Sequence, residues 1–514
     1  MRVRLLTVLI VASLTPALSS AQTAAANKTA RPATTSGRAA ATRVDPDGTT
    51  ALHWAVRTND LQEMDRLIRA GAKVNAANRY GVTPIYLACL NGSAPAVSRL
   101  LKAGVSANAT ENYGETALMT CARTGNVEAV QVLLEAGAPV DAVESWHGET
   151  ALMWAAAEHH PAVMEALIKA GADVNAHSTV VTWERQKTLE PRDKWLPPGG
   201  QTPLHFAARE GCLECAKVLL RHGAAINTVD PQGISALVSA IINGHYDVAG
   251  FLIDSGIDLT LADETGQTAL YAAVDMHTMP ASNRPAPKEI DNQLTSFDIV
   301  KMLVEHGAPL DAQQRAMRAY RTKLDRGGET VLGAGTTPLL RAAKAADTPV
   351  IKLLIDKGAD AKLATRAGVN GIMLAAGVGT REEDTTGRSK TQKDIVETIR
   401  LLLQAGVNVN AQDNQGRTAA HGAAMWGYTE VIKFLAQNGA QLDMADKRGL
   451  TPLDAAMGLA GGLGFDGKSG TVREETANAL KEILGDKAVF DPNKKPIGNP
   501  RADDPNNRTA VDPN

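Results

Sequence analysis

An all-α repeat solenoid is the fold class that this 514-residue sequence predicts, and three regularities predict it. Glycine stands at 48, 81, 114, 148, 200, 233, 266, 335, 368, 416 and 449, in steps of 33 or 34 residues except where a longer interval opens. Two positions after each glycine comes a residue able to cap a helix, then a short run of leucine and small residues, as in GTTALHWAV, GETALMWAA and GQTPLHFAA. A second run then ends in paired apolar residues ahead of another glycine: Leu67-Ile68 before Gly71, Leu133-Leu134 before Gly137, Leu219-Leu220 before Gly223, Leu402-Leu403 before Gly406.

Within one unit the local physics runs in chain order. Thr or Ser offers an oxygen to the free amides of a helix start, and Pro or Ala suits the first helical position. Alanines let neighbouring helices approach, and the glycine after the second helix takes the left-handed closing conformation that a side chain resists. Eleven such units are expected. The ninth departs, with Asn370 and Gly371 where Thr and Pro usually stand. Asn still caps, but Gly inside a helix should leave that helix the loosest.

Around the array the sequence divides as follows. Residues 1–21 carry two arginines, an apolar run from Leu5 to Leu18, and Ser19 and Ala21 ahead of a cut before Gln22, which reads as a signal peptide. Residues 22–45 read as a flexible linker, 46–485 as the solenoid and 486–514 as a disordered Pro-, Asn- and Asp-rich tail. Inserts are expected near 178–199 and 313–334 at turns between units, and near 277–293, 380–393 and 459–470 between the helices of a unit.

The units resemble the ankyrin repeat, whose mark is T-P-L-H-x-A over a period of 33. The runs ENYGETALMTCARTGNVEAV and ESWHGETALMWAAAEHH further resemble exported bacterial ankyrin proteins. The resemblance implies a curved stack of antiparallel helix pairs with β-turn fingers along one edge, and a concave surface that binds other proteins. It also implies that His53, His205 and His421, at the T-P-L-H position, make structural hydrogen bonds between turns.

Gly462 to Ser469 spells GLGFDGKS, which satisfies both a phosphate-loop and a dinucleotide-turn pattern. Both patterns need a strand ahead of the glycines, and here the order is helix, loop, helix. No cofactor is expected. Cys212 and Cys215 form a C-x-x-C that invites a thiol-active reading; their register places them in the stacked core, with a local disulfide as the alternative. Cys89 and Cys121 lie on first helices of adjacent units, about 10 Å apart in ordinary helix packing, and are expected to be buried free thiols. His159 and His160 could touch a metal, but a solvated turn explains them, and no metal is expected.

The balance of 53 basic and 56 acidic residues gives no field that collects nucleic acid, and no paired acid and base share an enclosed pocket. An exported, monomeric scaffold, periplasmic or extracellular, is therefore expected, free of the membrane after cleavage and without catalysis of its own. Its destination could also be a host cell. The candidate partner face is Arg79, Tyr80, Asn112, Tyr113, Trp146 and His147 at three successive fingers, with Arg123 and Glu158 at helix ends, Trp183 and Trp195 in the first insert, and Trp426 far along the chain. Aromatics are only 4% of the sequence, so three at equivalent finger tips stand out. Equally, each ring could pack across to its neighbour and seal the array.

Overall fold

The computed structural model describes residues 41–181, 198–278, 292–316, 331–380, 390–459 and 471–494. Among them the α-helices stand in eleven consecutive antiparallel pairs, from Ala51–Arg57 with Leu61–Arg69 to Pro452–Ala456 with Glu474–Leu484. The β component of the described residues consists of isolated bridges at the fingers, such as Val44 to Thr50 and Thr110 to Thr116.

The first helix of each pair starts where the sequence places its cap. The side chains of Thr50, Thr116 and Thr150 accept from the amides of His53, Met119 and Met153, and proline opens the helices after Thr83, Thr202, Thr337 and Thr451. Second helices have caps of their own in Asp60, Ser93, Asn126 and Asp347. After the second helix Leu61–Arg69 comes Gly71 at φ +87° with open space where a Cβ would stand, so conformation alone demands glycine there.

The unusual ninth unit is capped as expected: Asn370 Oδ1 accepts from Met373 N at 3.0 Å. Its helix is short, Gly371–Ala375, but every residue of it is buried. A Cβ on Gly371 would stand 3.0 Å from a methyl of Leu402, so the glycine gives up helix propensity for close packing instead of leaving the unit loose.

Two kinds of hydrogen bond tie each unit to the next. His53, His205 and His421 donate from Nε2 to the carbonyls of Val82, Ile234 and Leu450 at 3.0–3.1 Å, while Nδ1 accepts from the amide of the residue that caps the helix. Both roles require a neutral ring, and burial pushes the pKa of all three below the usual value, His205 to about 4. Along the edge, amides of one finger reach the carbonyl of the finger before: Arg79 to Asp47 at 2.8 Å, Ser145 to Tyr113 and Thr179 to His147 at 2.6 Å, Lys447 to Gln415 at 2.8 Å.

The core is continuous from unit to unit. Leu52, Met64, Leu67, Leu100, Leu133, Leu219 and Leu402 are fully buried. Leu133 lies in an interior unit with neighbours on both sides, so a single large-to-small change there should cost about 2–5 kcal/mol.

The cysteines differ from expectation. Cys89 and Cys121 are bridged, with Cα atoms 4.5 Å apart: the buried small residues Ala88, Ala117 and Ala122 on the two helices let the backbones approach closer than ordinary helix packing allows. Cys212 and Cys215 are bridged as well, within the start of one helix, which was the alternative to free core thiols. Residues 486–494, assigned by composition to a disordered tail, are described and close the array: Lys494 Nζ lies 2.6 Å from the buried carboxylate of Asp454, and Phe490 packs against the core.

Candidate protein-binding face

The fourth and seventh residues after the cap of a first helix make a recurring contact along one side of the array. In units one, four and five the fourth residue is Trp54, Trp154 and Phe206; in units one, three and five the seventh is Arg57, Arg123 and Arg209. Guanidinium and ring meet in each case. Arg57 lies 5.5 Å from the Trp54 centroid, Arg123 reaches across a unit boundary to within 5.1 Å of Trp154, and Arg209 sits 4.7 Å over Phe206. The indole N–H groups are satisfied from the fingers, Trp54 by Asp45 and Trp154 by Glu149, both at 2.8 Å. Burial pushes the Glu149 carboxyl above its ordinary pKa.

Beside this helix surface runs the finger row. Tyr80, Tyr113 and Trp146 are 57%, 67% and 59% exposed, and with Trp54 they make up the exposed large aromatics among the described residues. Five fingers are closed by an Asp or Asn whose oxygen accepts two backbone amides, at Asn78, Asp230, Asp263, Asp413 and Asp446; Asn78 accepts from Tyr80 and Val82. In unit three Glu111 turns away to accept from the Thr83 hydroxyl. The finger is completed instead by Tyr113 in the left-handed region, φ +65°, a conformation that costs a bulky residue about 1–3 kcal/mol. That backbone presents the ring outward, 5.5 Å from the Trp146 centroid, with His147 stacked on Trp146 at 5.2 Å.

The residues expected to form the face divide into three groups. Tyr80, Tyr113, Trp146 and His147 share the finger row, Arg79 stacks 4.7 Å over Tyr80, and Asn112 Nδ2 donates to the Tyr80 carbonyl at 2.7 Å. Arg123 and Glu158 flank it, Arg123 on Trp154 and Glu158 exposed at a helix end. Trp426 does not join them: it lies six units further on and donates to the Gly377 carbonyl at 3.1 Å, a wedge between two units. Trp183 and Trp195 lie outside the described residues. The rings thus both pack across to neighbours and stay exposed. Trp54, Trp154 and Phe206 were not anticipated, although the fourth position after the cap was visible in the repeat register.

Further along, the same lattice changes character. Arg341, fourth after its cap, is fully buried and its Nε lies 2.6 Å from Oδ1 of Asp275, seventh after the cap of the preceding unit. In unit ten Gly422 stands at the fourth position, beside a shallow cleft lined by Val378, Met425 and Leu450 together with Arg417 and Arg448. Each of these arginines is already paired, with Asp413 and Asp446.

The helix pairs, caps and fingers match a known pattern directly. The family described as ankyrin repeats (3 copies) matches residues 22–111, 85–178, 186–263 and 389–461, and the single ankyrin repeat matches residues 334–366. The chain belongs to the ankyrin repeat family. Among similar proteins are the E3 ubiquitin-protein ligase KEG of Arabidopsis thaliana, 26% identical over 262 residues, and ZDHHC13 of Danio rerio, named for a palmitoyltransferase activity, 33% identical over 129 residues. The matches cover 50% and 22% of this ankyrin chain but only 14% and 20% of those proteins. Ankyrin repeats mediate protein–protein contact, and that is the coarse function the fold carries.

The competing chemistries gain nothing from the described geometry. Bridged and buried, Cys212 and Cys215 present no thiolate. His159 and His160 spend ring nitrogens on the carbonyls of Glu210 and Arg123, at 2.8 and 2.9 Å. Residues 462–469 lie outside the described residues. Among the described residues no helix is long and apolar enough to cross a membrane.

Proposed function

We propose that this ankyrin chain is an exported scaffold that binds a protein partner through the concave face of units one to four, without catalysis of its own. The observation that carries the reading is the segregation of exposed aromatics: Trp54, Tyr80, Tyr113 and Trp146 all lie on that face, whereas the other large rings among the described residues are buried or half-buried. Tyr, Trp and Arg dominate the binding energy of protein interfaces because they bury much area with little loss of side-chain freedom. Export is supported by the N-terminal segment and by two disulfides, which persist in oxidising compartments. Periplasmic and extracellular destinations share this chemistry, and fractionating cells and medium separates them. Affinity capture with the mature chain tests the binding itself: wild type should retain a partner that the Tyr80→Ala/Tyr113→Ala/Trp146→Ala variant releases. Equal retention by a folded variant would remove this face from the account.

A further inference from the structure

The fingers of units three and four, residues 110–115 and 143–149, hold the two most exposed rings of the row together with four carboxylates, and neither contains Lys or Arg. Elsewhere on the face the exposed or half-exposed rings Trp54, Tyr80 and Trp154 already carry a guanidinium, from Arg57, Arg79 and Arg123. Tyr113 and Trp146 have only each other and His147, with no cation over either ring among the described residues.

We propose that the Tyr113–Trp146 ring pair, with the carboxylates of Glu111 and Glu115, receives an arginine or lysine side chain from an extended basic segment of the protein partner. This rests on the reading of the face as the partner-binding surface and supplies that partner's chemistry. The ring faces attract a cation through their quadrupoles, and a carboxylate beside them completes the site. Arg123 shows the arrangement within the chain, resting 5.1 Å over Trp154 and 3.9 Å from Glu115. The carboxylates are not all spent. Glu144 is used on the amides of Trp146, His147 and Glu149, whereas Glu111 is held by Thr83 alone and Glu115 by the Thr120 hydroxyl and the Arg123 contact among the described residues. Burial, with the charge of Glu115 nearby, pushes the Glu111 carboxyl upward, and a cation arriving there relieves both. The backbone strain at Tyr113 holds the ring in place before the partner arrives.

The test uses the full chain and two fluorescein-labelled extended peptides, one repeating Gly-Gly-Arg and one repeating Gly-Gly-Glu, with affinity read by anisotropy. The arginine peptide should bind and weaken as salt rises, and the glutamate peptide should not bind. Tyr113→Ala/Trp146→Ala and Glu111→Gln/Glu115→Gln should each weaken the arginine peptide by about tenfold or more. Tyr113→Phe/Trp146→Phe, which keeps the ring faces, should retain most of the binding, and unchanged circular dichroism guards against loss of fold. Equal binding of both peptides, or binding indifferent to both double variants, overturns the inference. Should the arginine peptide fail while the triple alanine variant still loses its cellular partner, the basic chemistry is wrong and the face remains the interface. Capture that survives the triple variant removes both.

Discussion

Arg341 donates to Asp275 at 2.6 Å across a unit boundary, in the same two positions of the repeat lattice where Arg123 covers Trp154. One register therefore builds two surfaces. With Trp54 or Trp154 at the fourth position the ring keeps solvent exposure, and with Arg341, which is fully buried, the position is closed. Removing one member breaks a buried ion pair, so Asp275→Ala or Arg341→Ala should lose about 3–5 kcal/mol. Urea unfolding checks this, and Arg123→Ala, at the open site, should lose less than about 1 kcal/mol.

The histidine brackets make the fold sensitive to acid. The unfolded chain takes a proton on His205 near 6.5, whereas the folded ring does so only at about 4. The unfolded state therefore binds more protons between these values, so stability is full above pH 6.5 and falls as pH drops toward 4. His205 alone accounts for about 3 kcal/mol of that loss. Unfolding curves at pH 7, 6 and 5 should show the decline, and His205→Gln should flatten it.

The Cys89–Cys121 bridge closes a chain separation of 32 residues. On loop-closure grounds it stabilises by about 3–4 kcal/mol, whereas Cys212–Cys215, separated by three, closes almost no loop. Cys89→Ala/Cys121→Ala should therefore lower the urea midpoint and speed hydrogen exchange in units two and three. The corresponding change at Cys212 and Cys215 should do far less.

Gly422 sits inside a helix at a position where the other units hold a side chain, from Ala272 and Ala455 to Trp54 and Trp154. A Cβ there would stand 2.7 Å from Val378 N and 2.9 Å from the Ala376 carbonyl. Gly422→Ala gains helix propensity but collides with backbone, so it should destabilise by about 1–3 kcal/mol, against the usual sign of a glycine-to-alanine change in a helix. Thermal melts of the two proteins decide it.

Much of this was legible in the sequence because a repeat states its rules many times. Thr50, Thr116 and Thr150 announce their helices, and the histidines of the T-P-L-H position find the carbonyls that the ankyrin resemblance implies. The Cys89–Cys121 bridge was not legible, since generic helix spacing overestimates the separation of alanine-lined helices. Tyr113's outward ring could be placed at a finger, but its left-handed backbone depends on Glu111 bonding to Thr83 in another unit. Arg341 could not be read as buried, because its partner Asp275 is 66 residues away and on the far side of an insert.

Whether the partner binds at the open aromatic face of units one to four is decided by the affinity of the captured partner for wild type and for Tyr80→Ala/Tyr113→Ala/Trp146→Ala, with circular dichroism confirming that both are folded. The variant should lose about a hundredfold or more, as expected when several interface rings are truncated together. An unchanged affinity in the folded variant would contradict binding there.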